Sequence, residues 1–180
     1  MILQGGNVMP GSGLGNPLTN AGAPVNGTTE VQTITLGGTP TGGTFKLGFD
    51  GFVTGPIAWS ATNATLIANI DAALEALPNV GVGGIVIAVG SMTAGIGTAT
   101  ATFTGGNLAK LAVPTMTVAD NSLTGTAPTV AVAETTPGVT ATGRTAPTGA
   151  MLIDTTNGIS YINTSTTALN PTWTKTGAQT

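Results

Sequence analysis

Apolar residues recur at helical spacing in one stretch of this chain, Asn63 to Leu77, which reads NATLIANIDAALEAL. At about 100° per residue, Leu66, Ile70, Ala73, Leu74 and Leu77 share one stripe, Ile67 borders it, and Asp71 and Glu75 point away. The spacing predicts an amphipathic helix over 63–77, capped by Thr62 or Asn63 and stopped by Pro78. Most of the remaining chain alternates Thr, Val, Ile and Gly in the manner of strands. Strands are predicted at Val31 to Leu36, Thr44 to Phe49, Phe52 to Trp59, Ile85 to Val89, Thr98 to Phe103, Thr115 to Ala119 and Thr129 to Glu134. Turns are predicted at Gly37-Gly38, Gly42-Gly43, Asp50-Gly51, Gly105-Gly106, Asn121-Ser122 and Gly125, with Asp50-Gly51 the clearest two-residue hairpin signal. The expected fold is mainly β (α+β): a compact antiparallel β-sandwich-like domain over residues 30–138, with the helix closing one side.

The flanks break this pattern. Residues 1–29 carry no charge, and Pro10, Pro17 and Pro24 stand among frequent glycines, which suits neither a helix nor a sheet interior. Isolated apolar pegs recur there, among them Val8, Met9, Leu14 and Leu18, so an extended arm docking into grooves of a partner is expected. Pro137 to Pro147 is rich in breakers, and residues 139–148 are read as a linker. Residues 149–180 predict a β-hairpin module turning at Asn157-Gly158, with Ile153 opposite Ile162, Asp154 opposite Tyr161, and a third strand near Trp173. In that register Met151, Ile153 and Ile162 share one face, and Leu152, Ile159 and Tyr161 the other. About thirty residues cannot build a core alone, so the module must lean on the main domain or on copies of itself. Trimerisation is the expected answer, with Met151, Ile153, Tyr161, Ile162 and Trp173 as candidate trimer contacts.

Composition sharpens the picture. Charged residues make up 6% of the chain, with four Lys plus Arg against seven Asp plus Glu, so hydroxyls, amides and backbone must meet the water. Low net charge favours association, and much of the surface is expected to be covered by other chains. The four scattered cations form no stripe for phosphates, which argues against nucleic-acid binding. No span of about 20 residues is apolar enough, or suitably anchored, to predict a membrane helix. The opening MILQGGNVMPG lacks a basic n-region and an unbroken apolar run, so secretion by signal peptide is not expected. If the protein works outside a cell, the expected exit is inside a particle released by lysis.

Candidate chemistry is sparse. With no His and no Cys, histidine-based nucleophilic systems and thiolate or imidazole metal sites are excluded, and no Ser stands in S-x-x-K spacing. Asp71 and Glu75, one helical turn apart, read as a solvated helix face rather than an acid/base pair. Asp154 to Gly158 begins like a calcium loop but lacks the bidentate acid. Gly11 to Gly15 has no strand, helix or Lys around it to make a phosphate loop. Three glycosylation-like triplets, starting at Asn26, Asn63 and Asn163, are of the kind a Thr-rich chain produces by chance. Thr98, Thr100, Thr102 and Thr104 alternate onto one strand face, and an ice-binding array would need matched rows on neighbouring strands. No enzyme activity and no cofactor are expected.

Several runs resemble a known group. EVQTITLGGTPTGGTFKLGFDG, WSATNATLIANIDAALEAL, GGIVIAVG and PTVAVAETTPGV together look like a small β-rich domain recurrent in virion proteins of tailed bacteriophages. The tail GAMLIDTTNGISYINTSTTALNPTWTKTGAQT is similar to a terminal module, roughly G-x-M-L-x-D-T-x-N-x-x-x-Y-x-N-T followed by P-x-W-x-K, of phage head-decoration, head-fibre and tail-fibre-like proteins. The resemblance implies a non-enzymatic capsid decoration or cement protein, sitting as a homotrimer on the head with the major capsid protein as partner. Val8, Met9, Leu14 and Leu18 are then the candidate capsid contacts, and deletion of residues 1–24 is expected to leave a folded trimer that no longer binds capsids. A tail-fibre or neck component is the alternative, and an ice- or carbohydrate-binding module the remote one.

Overall fold

The computed structural model describes residues 17–105, 107–143, 145–166 and 169–177. In chain order the elements are β1 (Leu18–Asn20), β2 (Val31–Phe49), β3 (Phe52–Val53), β4 (Ile57–Ala58), α1 (Asn63–Glu75), β5 (Val86–Thr93), β6 (Ile96–Thr102), β7 (Thr117–Thr136), β8 (Met151–Asp154), β9 (Ile159–Asn163) and β10 (Trp173–Lys175). Among the described residues the fold is mostly strand with one helix, as the patterning predicts. No helix among the described residues is long and apolar enough to cross a membrane. The chain divides into two compact units, one over 29–138 and one that joins 1–28 to 139–180.

In the larger unit β2 is the spine. Along its length it pairs antiparallel with β7 on one side. On its other side it pairs first with β6, through Val31–Leu36, and later with the short strands β4 and β3. β5 completes the sheet beyond β6. Two strands predicted on either side of Gly37-Gly38 and Gly42-Gly43 are therefore one strand of 19 residues. The predicted strand at Thr129 to Glu134, and that at Thr115 to Ala119 from Thr117 onward, likewise lie within a single 20-residue β7 that runs through Asn121-Ser122 and Gly125.

These glycines make bulges, not turns. Register shifts fall beside them at Gly37/Thr39 and Pro40/Gly42, and elsewhere on the ladder at Val31/Gln32 and Lys46/Leu47. Gly38 and Gly125 have φ of 72° and 129°, and a Cβ on either would come within 2.0 and 2.1 Å of a carbonyl oxygen on the partner strand. Only glycine tolerates both the backbone conformation and that approach. The bulges also reverse which residues point inward. Gln32, Ile34 and Leu36 are buried before them, and Phe45, Leu47 and Phe49 after them. Such a parity change, invisible to strict alternation, is what made one strand read as two.

Asp50-Gly51 does form the predicted two-residue hairpin, with φ of 45° and 83° and Phe49 paired to Phe52. A second one, Ala94-Gly95 between Thr93 and Ile96, extends β5 and β6 beyond their predicted limits. It docks beside the start of α1: Asn63 Nδ2 donates to Met92 O (2.8 Å), Gly95 N to Asn63 Oδ1 (2.9 Å), and Trp59 Nε1 to Gly95 O (3.0 Å). Asn63 thus braces a hairpin, and Thr62, at the N-cap, makes no side-chain cap bond. The helix ends at Glu75, two residues short of the predicted Leu77. Leu66, Ile70 and Leu74 are fully buried, in one cluster with Ile34, Leu36, Phe45, Leu47 and Phe103.

Between β6 and β7 the chain has little regular structure, and two buried polar residues hold it. Glu30 Oε2 accepts from Val113 N (2.8 Å), and Gln32 Oε1 from Met116 N (2.8 Å). Gln32 Nε2 donates to Glu30 Oε1 (2.5 Å) and to Pro114 O (3.1 Å). Buried polar groups are tolerable when each finds a partner, and here they replace the missing ladder bonds of that segment.

Candidate interaction surfaces

The smaller unit is a four-stranded sheet in the order β1-β8-β9-β10. β1 lies parallel to β8, with Leu18 opposite Leu152, and Leu18 packs against the cluster of Ala146, Leu152 and Trp173. Leu18, expected as a capsid-docking peg, therefore serves this unit's own core. Val8, Met9 and Leu14 lie outside the described residues. The stretch read as a linker also belongs to the unit. Val139 pairs with Thr28, Ala141 and Ala146 are buried, and Thr142 O accepts from Trp173 Nε1 (2.8 Å). The module thus gains its missing partner from the chain's own two flanks, an option that neither docking on the main domain nor trimerisation covers.

Two buried side chains set its geometry. Asp154 Oδ1 accepts from Gly22 N (2.9 Å), Thr156 N (2.9 Å) and Asn157 N (3.1 Å), and its Oδ2 from Asn157 Nδ2 (2.7 Å). The Asn157 amide holds the Asp154 carboxyl below its ordinary range; burial opposes this, and the backbone N–H groups of Asn157, Thr156 and Gly22 reinforce it. The carboxylate wraps a four-residue loop. Gly158 has a φ of 67°, and Asp154 pairs with Ile159 rather than with Tyr161. The register accordingly moves by two residues, Met151 to Ile162 and Ile153 to Ser160, while the division into faces stays as predicted. Asn163 is the second hub: its amide donates to Ala146 O (2.8 Å) and Pro147 O (3.1 Å) and accepts from Thr172 N (2.9 Å) and Ser165 N (3.0 Å).

Of the five candidate trimer contacts, Trp173 is 4% exposed inside this core and Tyr161 packs against it. Both side chains pack within this unit, Trp173 buried and Tyr161 partly so. Met151, Ile153 and Ile162 occupy the opposite face, with Met151 49% exposed. Thr19, Ser160 and Thr174 flank them through the strand register. The outcome is an apolar centre in a hydroxyl rim with no charged group among these six.

The larger unit bears a different surface. On the uncovered face of its sheet, Thr33 pairs with Thr100 and Thr35 with Thr98, so two matched threonine rows do exist. Thr33 Oγ1 is hydrogen-bonded to Thr135 Oγ1 at 2.5 Å. Thr104 lies beyond the end of β6. At the β2–β3 hairpin, half-exposed Phe52 and Val53 border an open depression of about 330 Å³ with Phe49, Pro114 and Thr115.

Asp71 Oδ1 accepts from Ile87 N (3.4 Å) and Glu75 Oε1 from Gly83 N (2.6 Å), so both carboxylates tie the helix to backbone. Burial pushes the Asp71 carboxyl up, Glu75 adds to this, and the Ile87 N–H opposes it. Among the described residues no three acidic side chains converge on a point that would hold a metal ion.

No protein-family model matches the chain. No curated protein matches it. Among solved structures it is similar to a protein of Mycobacterium phage Patience, with 16% identity and a TM-score of 0.41. The likeness covers 83% of this chain, which spans 57% of that protein's length. Likeness at this level assigns neither family nor role, and the functional reading rests on the residues themselves.

Proposed function

We propose that this chain is a non-enzymatic structural protein of a tailed-phage virion, and that it decorates the assembled head as a homotrimer bridging neighbouring capsomers. The observation that carries the reading is the uncharged outer face of the smaller unit, where Met151, Ile153 and Ile162 stand in a ring of hydroxyls. Such a face loses little on desolvation and suits packing against a copy of itself. The resemblance of the C-terminal run to decoration and fibre modules supports it, and so does a chain of which 6% is charged. The major capsid protein is the proposed partner, and the virion surface the proposed location.

The test has two arms. Met151→Glu with Ile162→Glu is expected to turn a trimeric mass in sedimentation into a monomeric one, with the fold retained. An unchanged mass would remove these residues from the contact. The arm is tested by deleting residues 1–16, because a deletion reaching residue 24 also removes β1 and the Gly22 N–H that Asp154 needs. The shortened protein is expected to stay folded and leave capsids bare; full occupancy of heads would end the arm's role.

The registered threonines favour one second reading, an ice- or carbohydrate-binding face. Thermal hysteresis or glycan-array signal lost on Thr100→Lys would establish it, and absence of both dismisses it. Labelled protein found on the tail rather than the head would replace decoration by the tail-fibre or neck role.

A further inference from the structure

β7 is 20 residues long and, among the described residues, pairs with β2 alone. Its far side therefore presents a row of backbone N–H and C=O groups, a template for another strand. Much of that edge is blunted. Three of its four register shifts disturb the ladder between Val118 and Thr129, the fourth falls beyond Glu134, and Pro128 has no N–H to offer. From Thr129 to Glu134 the strand is undisturbed, running in one-to-one register against Gly37 to Gln32. There the sheet behind it is four strands deep, in the order β7-β2-β6-β5. The run TVAVA at residues 129–133 contains no charge, no proline and no lysine, so it lacks the usual protection of an exposed edge.

Register then selects the occupant. Val130 and Val132 pair with the buried residues Leu36 and Ile34 and share the covered face, whereas Thr129, Ala131 and Ala133 are exposed on the other. An added strand must keep like faces together. A second copy, related by a twofold axis normal to the sheet at Ala131, does so: Ala131 meets Ala131, Val130 meets Val132, and Thr129 meets Ala133. Glu134 falls opposite Pro128, so no like charges face each other. Every contact except the central Ala131 pair occurs twice, whereas a foreign strand would find no charged side chain in this run to recognise.

We propose that the Thr129–Ala133 edge of β7 pairs antiparallel with the same edge of a second copy of this chain, joining two sheets into one. The proposal rests on β7 alone and stands apart from the trimer reading, which concerns the other unit.

The chain has no cysteine, so one thiol can be placed at will. Directly opposed residues of an antiparallel pair have Cα atoms about 4.5–5.5 Å apart, within disulfide reach. In the full chain under mild oxidation, Ala131→Cys is expected to give a species of twice the chain mass. It should form at least about tenfold faster than with Ala119→Cys, an exposed position on the bulged half of the same strand. Adding Thr129→Lys with Ala133→Lys, two exposed positions that this register sets directly opposite each other with like charge, is expected to abolish the difference. Equal linking rates for the two cysteine variants overturn the proposal, whatever the mass of the wild-type assembly.

Discussion

The two units solve the same problem with different means. The larger one buries a broad apolar cluster, with Ile34, Phe45, Leu66, Ile70, Leu74 and Phe103 all fully enclosed. In the smaller one the buried apolar cluster is Ala146, Leu152 and Trp173, and order comes from Asp154 and Asn163, buried side chains that gather backbone groups from distant parts of the chain. A large core tolerates imprecision because transfer free energy scales with area, whereas a hub fails when one acceptor goes. The first unit is thus expected to be broadly robust and the second sharply dependent on a few atoms.

Each unit carries one of the chain's two tryptophans, Trp59 in the larger and Trp173 in the smaller, so fluorescence can follow them separately. The largest expected effect is Trp173→Ala, at about 3–5 kcal/mol, which should unfold the smaller unit while Trp59 emission stays native. Loss of the native Trp59 emission in this variant would show the units to be thermodynamically one. Ile70→Ala is expected to cost about 2–5 kcal/mol in a denaturant titration read at Trp59, and a cost under about 1 kcal/mol would contradict its place in the core. Gly38→Ala combines a positive φ with a Cβ 2.0 Å from Ala127 O, and a loss of about 1–3 kcal/mol is expected from the strained bulge.

Acid should separate the units by sign. Asp154 titrates below its ordinary value when folded, so its contribution is present above about pH 4 and is lost as pH falls through the lower folded pKa. Asp71 titrates above its ordinary value, so its ionised form opposes folding at neutral pH, and that penalty fades as pH falls through the raised pKa. Stability of the smaller unit should therefore fall below about pH 4 under conditions where Asp71 no longer weakens the larger one. Asp154→Asn should remove the acid dependence at Trp173; its persistence would assign it to another group. The smallest effect on stability is expected from Met151→Glu alone, within about 0.5 kcal/mol, because Met151 is half exposed and exposed positions rarely matter to folding. Its effect belongs to assembly mass.

Local rules carried much of the fold. The helix was legible because Leu66, Ile70 and Leu74 repeat at its period, and the first hairpin because Asp50-Gly51 accepts positive φ at both positions. The faces of the C-terminal hairpin were legible too, since a shift of two residues preserves alternation. Of the candidate interaction surface, Met151, Ile153 and Ile162 were readable as one face; the inward use of Tyr161 and Trp173 was not, because their partners, Leu18 and Ala146, lie in stretches rich in Pro and Gly. Those stretches read as arm and linker for want of any periodic pattern.

What the amino-acid sequence determined by itself is what depends on neighbours a few residues apart: element types, the helix stripe, face alternation and the scarcity of charge. Tertiary structure alone decided that two glycine pairs are bulges within one 19-residue strand, that Glu30 and Gln32 hold an irregular segment in place, and that chain segments more than a hundred residues apart close one small core. The physical reason is the same in each case. A glycine, a buried carboxylate and an isolated leucine acquire their roles from the particular backbone group or side chain that long-range pairing brings against them.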